Sequence, residues 1–271
     1  MKTLLIAMDL DGTLLSEDHE TISARNREAL RAASERGVKI VIASGRTRGV
    51  MGSVYAQLPF ADYAVTSNGA AVYDLKTGER VCYQGIPYEK WCKVYDIFRR
   101  HGSVFEVYAD GRAHMERRLF AHYENDLLPR DFVENLKKSI VPVENAREYL
   151  KGKSIEKICA LTTDPVEYPQ ALAELNALPG LCLTSSIPGN VEINEAGTNK
   201  GSALAALCET LGIPQEAVMA FGDAGNDVEM LTFAGQSYAM ENGTPEAKAA
   251  AKAVTRSNAE DGVAAAVEQI L

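Results

Sequence analysis

Leu4-Leu5-Ile6-Ala7-Met8-Asp9-Leu10-Asp11-Gly12-Thr13-Leu14 is the stretch on which the reading of this chain turns. A continuous apolar run ends in two carboxylates spaced two residues apart. Apolar residues that do not alternate with polar ones mark a strand buried on both faces of a parallel sheet. In open α/β sheets the carboxyl ends of such strands border the crevice where ligands bind. Two acids crowded there repel unless a cation or a shared proton relieves them. Alone, Asp11-Gly12 reads equally as a turn, and Asp9 as a helix N-cap. The rest of the chain decides between these readings.

Outward from this stretch, strand and helix patterns alternate. The spacing predicts a helix over Ile22–Arg36, with Thr21 or Ser23 as N-cap and Gly37 as terminator. It predicts a second β-branched strand over Val38–Ala43, a helix over Thr47–Gln57 and a third strand over Tyr63–Ser67. Asn68-Gly69 is a turn signal, and Ala71–Tyr73 with Arg80–Tyr83 reads as a hairpin. The middle of the chain changes character. Tyr88–Arg100 reads as a helix, and Val104–Tyr108 with Ala113–Glu116 as a hairpin about Asp110-Gly111. A helix, a strand at Ile155–Leu161, a helix near Pro165–Asn176 and a strand at Leu181–Ser185 follow. From Asn190 the alternation resumes, with a short strand at Val191-Glu192-Ile193, a helix over Lys200–Leu211 and a buried strand at Val218–Phe221. Helices over Asp227–Phe233, Pro245–Ala251 and Asp261–Leu271, and a strand at Ser237–Met240, complete it. The expected class is α/β, a Rossmann-like parallel-sheet core (residues 1–85 plus 189–271) interrupted by an α+β insert with an antiparallel sheet (residues 86–188).

Bulk properties narrow the partners. With 271 residues, 46% apolar and 24% charged, the chain reads as a soluble globular protein. A formal net charge of -9 argues against nucleic acid as the main partner, because phosphate backbones need a basic face. A small phosphorylated ligand needs only a local positive pocket. No apolar segment is long enough to span a bilayer, and no secretory leader is expected at the start. Five scattered cysteines (82, 92, 159, 182 and 208) without a C-x-x-C pair imply no disulfide framework and a reducing, cytoplasmic setting. The four histidines show no metal-ligand spacing.

Four polar clusters fall at the ends of predicted core strands or at a helix start. They are Asp9 with Asp11, Ser44-Gly45-Arg46, Lys200 after Gly197-Thr198-Asn199, and Gly222-Asp223-Ala224-Gly225-Asn226-Asp227. One parallel sheet would bring them to one edge. D-x-D-G-T, then a serine, then a lone lysine, then G-D-x-x-N-D, in this order, resembles the haloacid dehalogenase superfamily. Asn68-Gly69-Ala70 and Asn258-Ala259-Glu260-Asp261-Gly262-Val263 are similar to its Cof-type, sugar-phosphatase-like branch, which carries a cap domain between the second and third motifs. The resemblance covers almost the whole chain. It departs from the common pattern at Thr198-Asn199 before the lysine and at Gly243 after Asn242.

The resemblance implies a phosphatase acting through an aspartyl-phosphate. Asp9 would be nucleophile and metal ligand, and Asp11 general acid and then base, touching the metal through its backbone carbonyl. Asp223 would anchor the ion and Asp227 orient that shell, so the candidate metal residues are Asp9, Asp11, Asp223 and Asp227. Leu10 N–H, Ser44, Gly45 N–H, Lys200 and Asn226 would hold the phosphoryl group. Elementary chemistry agrees with the metal. A carboxylate attacking a phosphate dianion needs charge neutralisation, and Mg2+, a hard cation that takes oxygen ligands, supplies it.

Other residues carry blander readings. Arg46, Glu192 and Asn190 are in reach of a substrate in principle, but read more readily as surface residues. The aromatics Tyr83, Tyr88, Trp91, Tyr95, Phe98, Phe105 and Tyr108 read as the core of a small domain, and Arg112, Arg117 and Arg118 as a solvated face or a greeting for an anion. The expectation is a Mg2+-dependent phosphomonoesterase for small phosphorylated metabolites, sugar phosphates first, working as a monomer or small homo-oligomer. A phosphomutase of the same superfamily shares Asp9 and Asp11 and stands as the alternative. A phospho-receiver module is the non-enzyme alternative, although receivers are about half this length and need no cap or second aspartate.

Overall fold

The computed structural model describes residues 2–122, 134, 137–161, 167–184 and 190–271. Ser185, the start of the helix expected at Pro165, and part of the stretch expected to hold a helix between Glu116 and Ile155 lie outside the described residues. The strands run in chain order as β1 (Leu5–Met8), β2 (Lys39–Ala43), β3 (Tyr63–Thr66), β4 (Ala71–Asp74), β5 (Arg80–Tyr83), β6 (Val104–Ala109), β7 (Arg112–Glu116), β8 (Val141–Val143), β9 (Ile155–Leu161), β10 (Leu181–Thr184), β11 (Asn190–Glu195), β12 (Val218–Gly222), β13 (Gln236–Ala239) and β14 (Ala253–Val254). The helices that matter below are α1 (Ala24–Glu35), α2 (Gly52–Gln57), α3 (Tyr88–Arg100), α4 (Ala146–Tyr149), α5 (Glu167–Asn176), α6 (Lys200–Leu211), α7 (Val228–Phe233), α8 (Pro245–Ala250) and α9 (Gly262–Val267).

Contacts divide the chain into two compact units. The first comprises Met1–Arg46, Met51–Tyr83 and Asn199–Leu271, and the second Thr47–Val50 and Gln84–Thr198. In the first unit an eight-stranded sheet has the order β14-β13-β12-β1-β2-β3-β4-β5. The strands from β14 to β3 run parallel, and β4 and β5 add an antiparallel edge. Successive strands progress from β1 outward through β2 and β3 on one side, while β12 occupies the other. The reversal of strand order, where ligands bind in such sheets, therefore lies between β1 and β12.

The apolar run of β1 is continuous because both faces are covered. Ile6 and Met8 pack with Ile40, Ile42, Met219 and Phe221 beneath Leu30 of α1 and Val263 of α9. Leu5 and Ala7 face the other way, into a layer with Val41, Val65, Val218 and Ala220 under Leu204 and Leu207 of α6. The α1 start is capped by Ser23, whose side chain accepts from Asn26 N–H. That settles which of the two candidate caps is used.

In the second unit a six-stranded sheet has the order β10-β11-β9-β6-β7-β8, antiparallel except for β7 with β8. Asp110 and Gly111, both at positive φ (50° and 76°), close the β6–β7 hairpin. Trp91, Phe98 and Phe105 are buried in one core with Val107, Ile155 and Ile158, as expected for packing aromatics, whereas Tyr83, grouped with them by sequence, lies on β5 of the first unit and is 42% exposed. Trp91 meets Tyr95 and Phe105 edge-on, with centroids 5.4 and 5.8 Å apart.

The structure corrects one placement. Val191-Glu192-Ile193 was expected in the parallel core, but β11 is hydrogen-bonded antiparallel between β9 and β10 in the second sheet. A strand's own residues state that it is half-buried, not which neighbour it pairs with. The chain accordingly rejoins the first unit at Asn199 rather than at residue 189. The helix expected over Thr47–Gln57 is likewise shorter. Its first part is a 3-10 turn (Arg48–Val50), and Gly52 opens α2. Among the described residues no helix is long and apolar enough to cross a membrane.

Candidate active site

Asp9 follows β1 directly, and its N–H donates to Phe221 O of β12 at 3.1 Å. The chain then coils sharply through Leu10–Leu14, with Gly12 at φ 78°. A Cβ on Gly12 would collide with the Asp223 carboxylate, so glycine lets this loop close onto the end of β12. Thr13 Oγ1 donates to Asp223 Oδ1 at 2.8 Å, fixing the second acid against the first loop. Asn242 Nδ2 donates to Gly12 O at 2.8 Å, Asn258 N–H to Asn242 Oδ1 at 3.0 Å, and Asn258 Nδ2 to Leu15 O at 2.8 Å. Asn242 and Asn258 thus brace the loop from outside, a role the sequence did not reveal because neither stands at a strand end.

Lys200 is the first residue of α6. Asn199 caps the helix, its side chain accepting from Ser202 N–H while Ser202 Oγ accepts from Asn199 N–H. The departure at Asn199 from the common pattern is therefore a capping box. The Lys200 side chain is fully buried, and its Nζ donates to Asp9 Oδ1 at 2.5 Å and Asp227 Oδ1 at 2.7 Å. Asp227 Oδ2 accepts from the N–H groups of Asp223 (2.9 Å) and Ala224 (3.0 Å). Ligand atoms of Asp9, Asp223 and Asp227 lie within 4.8 Å of one another.

One ammonium, bonded to Asp9 and Asp227, therefore stands against a cluster of three carboxylates. Burial pushes the Asp9 carboxyl well above its ordinary value; Lys200 opposes this, while Asp227, Asp223 and Asp11 add to it. Asp223 is pushed up to about 6, by burial first and then by Asp227. Burial disfavours the Lys200 charge, but Asp227 and Asp9 outweigh it and hold the ammonium above the usual lysine range. The cluster is short of positive charge and offers only oxygen donors, which fits a hard dication such as Mg2+.

Asp11 has partners of its own. Arg46 holds it in a fork, Nε to Oδ2 at 2.9 Å and Nη2 to Oδ1 at 2.5 Å, and His19 Nδ1 lies 2.9 Å from Oδ1. Burial favours the protonated carboxyl, but His19 and Arg46 outweigh it and hold Asp11 below the usual carboxylate range. The Arg46 side chain, which sequence alone favours as a surface residue, is only 19% exposed. His19, an exposed histidine in a loop, carries no local sequence pattern that marks it.

The remaining candidates gather at the same sheet edge. Ser44 is buried, its N–H donating to Val65 O at 2.9 Å and its Oγ accepting from Arg46 N–H at 3.1 Å. Gly45 follows it, partly exposed. Leu10 is buried with its side chain in the core. Asn226 Nδ2 donates to Asn68 Oδ1 at 3.3 Å. Asn68 (φ 57°) and Gly69 (φ 103°) form the tight turn expected after β3.

Glu192 and Asn190 lie on β11 in the second unit, both buried, and Glu192 pairs with Lys157 at 2.9 Å. Arg117 and Arg118 are paired with Glu144 and Glu116, each at 2.7 Å, within the second unit.

The sequence pattern of haloacid dehalogenase-like hydrolases matches residues 6–267. The chain belongs to the haloacid dehalogenase-like hydrolases. It is an enzyme of their Cof-type phosphatase branch. The 5-amino-6-(5-phospho-D-ribitylamino)uracil phosphatase YcsE of Bacillus subtilis is 33% identical over 264 residues, covering 97% of this chain and 94% of that protein. The HMP-PP phosphatase of Escherichia coli O6:H1 is 30% identical, over 90% of this chain and 86% of its own. The solved HAD subclass IIB sugar phosphatase BT4131 superposes with a TM-score of 0.83 at 26% identity, covering 99% of this chain and 100% of that one. The two-unit haloacid dehalogenase architecture, a mostly parallel sheet with a second α+β unit, is thus the fold of this chain.

Proposed function

We propose that this enzyme is a Mg2+-dependent phosphatase that hydrolyses small phosphorylated metabolites, phosphorylated sugars and sugar alcohols foremost, through an aspartyl-phosphate on Asp9. The observation that carries this reading is the Lys200 ammonium set between Asp9 and Asp227, beside Asp223, at the reversal point of the sheet. The similarity to phosphatases of small phosphorylated compounds supports the substrate class.

Asp9, Asp223 and the Asp11 backbone carbonyl would hold Mg2+, with Asp227 fixing the cluster through its bonds to the Asp223 and Ala224 N–H groups. When bound, the ion neutralises charge so that a carboxylate can meet a phosphate dianion. Lys200 keeps one Asp9 oxygen in a fixed place, which leaves the other as the attacking atom. The Asp9 oxygen forms a bond to phosphorus and the bond from phosphorus to the leaving oxygen breaks with its electron pair; the phosphate dianion beside Asp11 raises its carboxyl again, so that Asp11 binds with a proton and gives it to that oxygen. In the second half a water oxygen attacks phosphorus and yields its proton to the Asp11 carboxylate. The Asp9–phosphorus bond breaks, and Asp9 returns as carboxylate with phosphate released. Ser44 Oγ–H, with the Leu10 and Gly45 N–H groups, would meet the phosphoryl oxygens. Asn226 would hold Asn68 or the phosphoryl group in turn.

The test is phosphate release over a panel of sugar, polyol and cofactor phosphates with Mg2+, for the native enzyme and Asp9→Asn. Release on one compound class, lost in the variant and on chelation, is the expected result. Undiminished release by Asp9→Asn overturns the covalent route. Isomerised product in place of free phosphate from bisphosphorylated sugars overturns hydrolysis in favour of mutase chemistry.

A further inference from the structure

The segment between Ser16 and Thr21 and the residue after Gly45 converge on one carboxylate. Arg46 takes both Asp11 oxygens and, through Nη2, also the His19 carbonyl at 2.9 Å. The His19 ring closes the bracket from the other side at 2.9 Å. His19 itself sits at φ 57°, a left-handed conformation that a non-glycine residue adopts only where its surroundings hold it there. Asp18 holds that turn, accepting from Glu20 and Thr21 N–H at 3.0 and 2.8 Å and from Thr21 Oγ1 at 2.5 Å. Arg46 is equally constrained, with its N–H on Ser44 Oγ (3.1 Å) and its carbonyl accepting from Ser67 N–H (3.0 Å). The carboxylate two residues beyond Asp9 is therefore held by two anchors built from other segments.

We propose that Arg46 is a positioning residue for Asp11, with His19 completing the bracket, and that this fork fixes the carboxyl that exchanges a proton with the leaving oxygen. This rests on the phosphatase reading, in which Asp11 moves the proton. A fork of two parallel N–H···O bonds fixes the plane of a carboxylate as a single lysine contact does not. Misplacing a catalytic group by about 1 Å costs on the order of a hundredfold in rate.

The leaving group discriminates this role from a structural one. A poor leaving alcohol needs the Asp11 proton, whereas p-nitrophenolate leaves without it. The parameter kcat/KM covers the steps through departure of the alcohol and is insensitive to the later hydrolysis. For Arg46→Ala, kcat/KM with an alkyl phosphate such as ribitol 5-phosphate should fall about tenfold or more beyond its fall with p-nitrophenyl phosphate. Arg46→Lys should recover only part of the difference, and His19→Ala should show the same selectivity more weakly. Equal losses on both substrates, no loss, or a gain on the alkyl phosphate overturns the proposal. Urea unfolding of each variant separates a folding defect from a kinetic one: a variant that unfolds under assay conditions loses both substrates together, and His19→Ala, at an exposed position, then decides. An inactive native enzyme, or an active Asp9→Asn, breaks the phosphatase reading instead and is told apart on the same plate.

Discussion

Gly69 lies directly against the Asn199 carbonyl, with no room for a side chain between them. Gly69 ends the turn after β3, and Asn199 is the cap of the helix whose first residue is Lys200. The turn thereby sets where the buried ammonium enters the site.

Gly69→Ala should accordingly do two things. At φ 103° an alanine is strained, and its Cβ would push the Asn199 peptide and with it the start of α6. The expected loss of stability exceeds about 1 kcal/mol by urea unfolding. Phosphate release should fall by about tenfold or more in protein that remains folded. Native activity would show that α6 can shift without moving Lys200.

Lys200→Ala removes the sole cation bonded to both Asp9 and Asp227 among the described residues. Leaving buried carboxylates without their partner costs about 3–5 kcal/mol. Denaturant unfolding with a chelator present should show that loss, and Mg2+ should stabilise the variant more than it stabilises the native enzyme. A loss under about 1 kcal/mol, with no extra response to Mg2+, would contradict the charge balance argued for the cluster.

Asp223 is held up to about 6 by burial and by Asp227. A carboxylate must be ionised to ligate a cation. As pH falls through about 6 the proton competes with the ion at Asp223, so the Mg2+ concentration for half-maximal phosphate release should rise. A Mg2+ requirement that stays flat from about pH 7.5 to about pH 5.5 would remove Asp223 from the ligand set.

Glu116 sits 2% exposed in the second unit, accepting from Tyr95 Oη (2.7 Å), Ala146 N–H (3.0 Å) and Arg118 Nε (2.7 Å). Burial alone would raise its carboxyl, but these donors outweigh it and lower it. A carboxyl lowered in the folded state stabilises above the unfolded glutamate value, about 4.3, and that contribution vanishes as pH falls through the lowered folded value. Glu116→Gln should therefore cost about 1–3 kcal/mol near neutrality, and the gap to the native protein should narrow in acid. Urea midpoints across that range measure it; a gap independent of pH would contradict the assignment.

The elements that carry chemistry were legible because each announces itself locally. β1, β2 and β12 are unbroken apolar runs ending in polar clusters, and a parallel sheet can only collect such ends along one edge. Lys200 was legible by its place at a helix start after Gly197-Thr198-Asn199. Pairings between distant segments were not. β11 has the composition of any half-buried strand, and only its hydrogen bonds to β9 and β10 assign it to the second sheet. Arg46 looks like a solvated arginine until Asp11 is seen folded back onto it, 35 positions away in sequence. Asn242 and Asn258 brace carbonyls of the first loop from 230 and 243 positions away, a relation no local pattern records.

β1 is flanked by bonded neighbours on both sides and roofed by apolar layers above and below. Amides in such a strand exchange with solvent only when the whole domain opens. Asp9 is thus moored to the slowest-breathing part of the molecule, and the fluctuations that turnover requires fall to the loops around it.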